Sequence, residues 1–340
     1  MIRYGTVKTK SAYLAALFAI VTWSVTFTNI RALLTDFSSL EILVVRFAMA
    51  WAVLWAWGLT FGGQGGTRPS RKDELLFVGM GFTGISGYQF LENCAIFYTN
   101  ASNVAIFVSF APIATAVVTW IFVRDKSLSV LFLFGSLVAV CGAALVSLAG
   151  VTTLKFNLIG DFMAMGAMLS WGFYSLLMEL ANRRGFSPVV AIRKAMFWAL
   201  VMLAPVAVWG TTESGLRALG GSFGVNLALQ ANICRFSSLL NWVNLMFLGV
   251  FASAACFVLW NMACKVLGTV RTSIGLYLTP IIGVVAAMLF LGERVSWMEV
   301  CGGVLILVGV AVANHGLSAR NLRGQSPQGF PNKLIKGDMR

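Results

Sequence analysis

The stretch Leu91 to Gly135, LENCAIFYTNASNVAIFVSFAPIATAVVTWIFVRDKSLSVLFLFG, returns in diluted form from Leu259 to Gly303 as LWNMACKVLGTVRTSIGLYLTPIIGVVAAMLFLGERVSWMEVCGG. Under one gap-free offset of 168 residues, Asn93 falls on Asn261, Ala95 on Ala263, Ile106 on Ile274, Pro112 on Pro280, Phe122 on Phe290 and Gly135 on Gly303. Both copies close their second apolar run with an acid and a base, Asp125-Lys126 and Glu293-Arg294. Upstream, Trp23 pairs with Trp171 at an offset of 148 and Arg46 with Arg193 at 147, so the later half carries an insertion of about 20 residues. One unit is written twice. Weak internal symmetry in an apolar chain is the signature of membrane folds built from repeats.

Composition sets the solvent. The 340 residues are 59% hydrophobic and 11% charged, with a mean hydropathy of +0.84, whereas soluble domains carry charge on about a quarter of their residues. The net charge of +13 does not indicate nucleic acid, because the cations fall between apolar runs rather than along an exposed stripe. Five of the six cysteines, Cys94, Cys141, Cys256, Cys264 and Cys301, lie in apolar segments, Cys234 is the sixth, and none forms a C-x-x-C pair. They read as small hydrophobes, so no metal and no cofactor is expected. The first apolar run is too long for a signal-peptide core and is expected to be retained.

A spanning helix needs about 20 mostly apolar residues. On that basis the chain predicts ten spans, at 12–32, 40–61, 74–98, 101–123, 129–150, 158–181, 189–210, 237–263, 270–291 and 296–315. With the N-terminus inside, inner segments hold 17 cations and outer segments 5, which places both termini in the cytoplasm. Five helices per copy is an odd number, so the second copy enters from the opposite side. The expected fold is an all-α membrane protein of two inverted five-helix repeats, 12–150 and 158–315, followed by a disordered cytoplasmic tail at 316–340. Residues 211–236 read as an external loop with a short interfacial helix.

The repeat resembles the EamA unit of the drug/metabolite transporter superfamily. The similarity lies in Trp23 followed by Arg31 and Arg46, in A-I-F-Y-T-N-A-S-N-V-A ahead of Ala111-Pro112, in D-F-M-A-M-G-A-M-L-S-W ending at Trp171, in Thr279-Pro280, and in L-G-E-R-V-S-W-M-E-V-C-G-G. It covers about residues 12–315. Two departures stand out: Arg124-Asp125-Lys126 replaces the family's Gly-Glu in the first copy, and Glu179 stands where that copy has Arg31. The resemblance implies a carrier in the bacterial inner membrane, commonly an exporter of amino acids or other small metabolites. Related four-helix drug pumps use a glutamate in their first helix. This chain has no acid there, so that mechanism is not implied.

Pro112 and Pro280 each remove a backbone donor and crowd the carbonyl four residues earlier, at Val108 and Leu276, which predicts a kink in both helices. Because both copies keep the proline, they are read as hinges. Trp and Tyr usually collect at the membrane interfaces, yet Trp23, Tyr88, Trp171, Tyr174 and Tyr277 fall at mid-span depth. Their polar tips need partners, and five at one level predict a central aromatic cavity. Gln89, Glu92 and Asn93 share a stripe with Tyr88 one turn away, and polar groups at depth face the bundle interior. Glu92 is placed to carry a proton, to bind a cationic group of the cargo, or to pair with Arg31 or Arg46. Glu179 with Arg183, and Arg193 with Lys194, read as a structural or gating network.

These residues predict a secondary carrier of small polar metabolites such as amino acids, working by alternating access. Its partners are then a small-molecule substrate and the lipid bilayer, with no nucleic acid, and proton coupling is one of the roles open to Glu92. Efflux of lipophilic drugs or nucleobases suits the same aromatic lining, and a channel or structural subunit is the reading from another class. One histidine and no acidic pair at depth argue against an integral membrane enzyme.

Overall fold

The computed structural model describes residues 9–60, 67–99, 101–123, 128–149, 157–209, 233–292 and 294–321, and every regular element among them is helical. In chain order they are α1 (Thr9–Leu33), α2 (Ser39–Thr60), α3 (Glu74–Met80), α4 (Gly87–Tyr98), α5 (Ala101–Val108), α6 (Ala111–Val123), α7 (Val130–Leu148), α8 (Leu158–Arg183), α9 (Pro188–Trp209), α10 (Leu239–Met246), α11 (Cys256–Leu267), α12 (Thr269–Ser273), α13 (Thr279–Leu291) and α14 (Trp297–Asn321). Several begin at polar caps: Ser129 accepts from the amide of Phe132, and Asn157 from those of Ile159 and Gly160.

Among the described residues, seven rods are long and apolar enough to cross a bilayer: Ser39–Thr60, Ser102–Val123, Val130–Leu148, Pro188–Trp209, Leu239–Leu267, Thr269–Leu289 and Trp297–Ser318. The chain is an integral, multi-pass membrane protein. The remaining long rods, α1, α3 with α4, and α8, are diluted by Ser, Thr, Gly, Asn and aromatic residues. Span ends match the sequence reading to within a few residues except at the C-terminus. There α14 runs to Asn321 instead of stopping at 315, because Gly316, Leu317 and Ser318 still pack: Gly316 lies against Phe132 and Ser129, and Ser318 accepts from Arg271. Residues 322–340, the rest of the expected tail, lie outside the described residues, as do residues 211–232 of the expected external loop.

Two rods contain wide turns that the sequence reading did not anticipate. Gly81–Ser86 joins α3 to α4, and Phe247–Ala255 joins α10 to α11, each with one extra residue per turn. The backbone hydrogen bonds step back five residues, as from the Gly87 amide to the Phe82 carbonyl and from the Cys256 amide to that of Phe251. The prolines also sit at irregularities. The chain breaks at Ser109 and Phe110 between α5 and α6, putting Pro112 in the first turn of α6, and Pro280 opens α13 after a tight three-residue-per-turn stretch, Ile274–Leu278. Both kinks fall at the crowded carbonyls.

Packing repeats when the two halves are exchanged. Helix α4 packs on α8 as α11 packs on α1, α2 contacts Phe247–Ala255 as α9 contacts Gly81–Ser86, and α2·α9 and α7·α14 map onto themselves. The α7·α14 seam is built on glycine. A Cβ at Gly135 would meet the Gly309 carbonyl at 2.7 Å, and one at Gly142 the Gly302 carbonyl at 2.5 Å, the close approach that small residues allow between membrane helices. Partner numbers fall on one side as they rise on the other, so the helices run antiparallel. The seam corrects the repeat alignment: Gly302, not Gly303, is the mate of Gly135, because α7 starts at Val130 and α14 at Trp297, one residue short of the 168 offset. A Cβ at Gly303 meets only Ile281, at 3.9 Å.

Gly142→Val should therefore cost about 2 kcal/mol or more and visibly lower the thermal unfolding midpoint in detergent, while Gly303→Ala leaves it within experimental scatter. Equal effects would contradict the one-residue shift.

Candidate functional site

Six aromatic rings from four helices meet where the two halves face each other. Trp23 of α1 lies 6.0 Å from Trp171 of α8, 5.5 Å from Phe257 and 5.3 Å from Trp260 of α11. Trp171 in turn lies 5.3 Å from Tyr88 of α4 and 5.1 Å from Tyr174, and Tyr174 lies 6.1 Å from Phe257. Each half supplies two of the helices. Tyr174 fits because Gly84, in the first wide turn, has no side chain: a Cβ there would come within 2.0 Å of the Tyr174 ring.

The wide turns also open carbonyls. The Trp23 indole donates to the carbonyl of Ala252 at 2.9 Å, and the Ser170 hydroxyl donates to that of Thr83 at 2.7 Å. Trp171 and Trp260 keep their indole N–H groups, and Tyr174 its hydroxyl, buried and unpartnered among the described residues. A polar tip left without a partner in a low-dielectric interior is costly. Three in one cluster mark where a polar solute would be welcome.

Charge lies at the edge of this cluster. The Tyr88 hydroxyl donates to Glu92 at 3.1 Å. Buried Arg46 of α2 donates through Nε to Ser253 at 3.0 Å and lies over the Phe47 ring, 5.1 Å from its centroid. Its terminal nitrogens carry no hydrogen bond among the described residues. Arg46 and Glu92 attract one another through the interior, yet no ion pair closes between them. The Arg31 side chain lies outside the described residues.

The structure thus gathers Trp23, Tyr88, Glu92, Trp171 and Tyr174. Gln89 is half-buried beside them and makes no hydrogen bond among the described residues. Asn93 is turned to α2 and donates to Ser39 at 2.7 Å. Tyr277 belongs to a different core, with Phe132, Ala139 and Ile306 of α7 and α14, where its hydroxyl sits beside Ser136. The tight Ile274–Leu278 stretch turns each residue about 20° further than an α-helix does, so depth alone does not fix its face. Phe257, Trp260 and Ser253 were not among the expected site residues. The 168 offset pointed to two of them: Phe257 is the mate of Gln89 and Trp260 of Glu92.

Both ends of the bundle are tied across the halves. At one end Arg235 grips Glu41 with two nitrogens at 2.7 and 2.8 Å, and Asn241 donates to Asp36 at 2.7 Å. At the other, Arg184 donates to Asp73 at 2.6 Å and Lys194 pairs with Glu74, while within the second half Glu179 accepts from Arg183 and Thr269. Asp36 and Arg184 are mates at 148, and Asp73 and Asn241 at 168, so one corner is built twice. Asp73 lies at the edge of the bundle, where partial burial opposes ionisation. The Ser70 hydroxyl and amide and the Arg184 guanidinium outweigh it and hold the carboxyl below the usual range.

The sequence pattern described as the EamA-like transporter family matches this chain twice, over residues 10–148 and 158–314. The chain belongs to the EamA-like transporter family. A "Probable terminal-alkyne amino-acid exporter" of Streptantibioticus cattleyicolor is 24% identical over 94% of this chain and 99% of its own length. A "Probable amino-acid metabolite efflux pump" of Salmonella typhimurium is 24% identical over 90% of this chain and 95% of its own. A crystal structure matches with a TM-score of 0.69 and 18% identity, covering 93% of this chain and 99% of that one, which establishes the fold alone. This EamA protein is thus a membrane transporter, and its two family matches coincide with the two halves that meet at the aromatic cluster.

Gly84→Ala should push the Tyr174 ring out of the cluster and cost about 1–3 kcal/mol, read as a lower unfolding midpoint. A compensating Tyr174→Leu should recover part of the loss, and independent, additive effects would contradict the contact.

Proposed function

We propose that this protein is a secondary carrier that exports small polar metabolites, amino acids first among them, by alternating access around the aromatic cluster. The observation that carries this reading is that both repeats contribute equally to a site holding unmatched polar tips, one acid and one arginine. Trp23, Trp171 and Tyr88 offer ring faces to an ammonium group, with Glu92 beside them. The free nitrogens of Arg46 offer donors to a carboxylate. Gln89, Tyr174 and Trp260 complete the lining, and Asn93 acts from its periphery. The names of the two exporter relatives agree with a zwitterionic cargo. Six rings also suit planar heterocycles, so efflux of nucleobases or lipophilic drugs is the second reading.

In this reading all ten rods cross the bilayer, with both termini on the cytoplasmic side of a bacterial inner membrane. The antiparallel run of α7 and α14, equivalent helices of the two repeats, supports an inverted arrangement. An asymmetry between the halves supports the alternation. The Asn93–Ser39 bridge ties α4 to α2 at the Glu41 end, whereas its mates at 168 and 148, Asn261 and Ser187, are both buried and unpartnered. Lys265, one turn from Asn261, reaches the Phe186 carbonyl at 3.3 Å, so the two lie in one neighbourhood. One latch is fastened while its counterpart is loose. Pro112 and Pro280 are the hinges, and Glu92 carries the coupled proton.

Proteoliposomes loaded with labelled amino acids should release them faster than empty-vesicle controls under an imposed pH gradient, and Glu92→Gln should remove that acceleration. Absence of exchange for every amino acid, with nucleobases moving instead, would select the second reading.

With the native cysteines replaced by alanine, Ser39→Cys with Asn93→Cys should be bridged by a short thiol cross-linker, and the bridge should stop transport until it is cleaved. Undiminished transport in the bridged protein would remove the latch.

A further inference from the structure

An open cavity of about 420 Å³ lies on the flank of the bundle between α2, α3 and α9, lined by none of the residues of the aromatic cluster. Trp51, Trp55 and Phe197 wall it, and Glu74, Arg193 and Lys194 face into it. Glu74 is fully engaged: Lys194 pairs with one oxygen, and the Trp198 indole donates to the other at 3.0 Å. Arg193 has no hydrogen bond or ion pair among the described residues. One terminal nitrogen of its guanidinium points end-on at α2 beside Gly58, where a Cβ would stand 2.2 Å from that nitrogen and 3.5 Å from the guanidinium carbon. The fork is therefore placed by shape, with its donors unmatched. Two cations against one anion leave the cavity with a net positive charge.

Depth and direction identify what fits. Gly58 lies in the last turn of α2, Glu74 is the first residue of α3, and Arg193 is five residues into α9, about 7–8 Å along the axis. The charged floor thus sits at headgroup level, at the end of the bundle where the cation bias places the cytoplasm. The walls lead outward into lipid. Trp51 stacks on Trp55 at 6.4 Å and approaches Phe197 at 6.1 Å, and Trp55 and Phe197 are 49% and 44% exposed. A soluble anion would meet Arg193 and leave those rings uncovered. A phosphate with an apolar body would engage both.

We propose that this cavity binds one anionic phospholipid of the cytoplasmic leaflet. Its phosphate is held by Arg193 with support from Lys194, and its acyl chains run along Trp55 and Phe197. Basic pockets between membrane helices select acidic headgroups in this way. The site differs in residues and position from the transport cluster; binding needs only that the protein is embedded in a bilayer, and the choice of leaflet rests on the orientation proposed above.

Native mass spectrometry of the full chain, purified with phosphatidylglycerol or with phosphatidylcholine, tests it. Phosphatidylglycerol should persist as one adduct per chain and phosphatidylcholine should not. Arg193→Gln should reduce the adduct about fivefold, the loss expected for one surface cation. Gly58→Ala, which displaces the guanidinium without removing it, should also reduce it, and decides the matter should Arg193→Gln fail to fold. Adducts unchanged in the variants, or equal retention of phosphatidylcholine, would overturn the proposal. Displacement by millimolar inorganic phosphate alone would assign the cavity to a soluble anion and overturn the lipid assignment.

Discussion

The hydrogen bond from the Trp23 indole to the Ala252 carbonyl joins residues 229 apart and depends on a local irregularity. A regular α-helix has no carbonyl to spare, because each interior one already accepts from the residue four places on. The wide turn at Phe247–Ala255 releases one in the middle of a membrane rod, where water cannot take it up. Trp23 takes it instead, and α1 is thereby set against α11. The turn at Gly81–Ser86 serves the other half in a slightly different way, giving the Thr83 carbonyl to Ser170 while Gly84 leaves room for Tyr174. Each repeat thus holds its partner through a flaw in its own third rod.

That constraint explains how the site is made of unlike halves. The mates Gln89 and Phe257, and Glu92 and Trp260, occupy corresponding places on α4 and α11. Two identical linings would have put two acids or two indoles face to face. Divergence between the copies gives a polar wall from α4 and an aromatic wall from α11, with an acid on one side and ring faces on the other. The ends of the bundle diverged less, since Asp36 with Asn241 and Arg184 with Asp73 still close the same corner. A corner has only to hold, whereas a site has to discriminate.

Much of this was legible in the sequence. The repeat, the helix limits, the proline kinks, and four of the five mid-depth aromatic residues follow from apolar length and one offset. What was not legible had physical causes. Cys301-Gly302-Gly303 offers two adjacent glycines, and only the α7·α14 contact selects the first. Tyr277 shares the depth of the others but not their face, because it lies within the tightly wound stretch Ile274–Leu278. Wide turns leave little trace in side-chain periodicity, since the extra residue is absorbed within one rod.

Hydropathy ranks the rods in a way that bears on function. Among the described residues, the rods that pass as membrane spans by length and apolarity do not include α3 with α4, or α8. Those same helices bring Tyr88, Glu92, Trp171 and Tyr174 to the cluster. A rod surrounded by protein on most sides needs little apolar surface toward lipid, and the polar side chains that lower its hydropathy are those that an enclosed site uses. The least membrane-like helices are therefore the most central ones. α11 joins them at the cluster while remaining apolar because its contribution there, Phe257 and Trp260, is aromatic rather than charged. The hydropathy deficit thus maps onto the polar wall of the site.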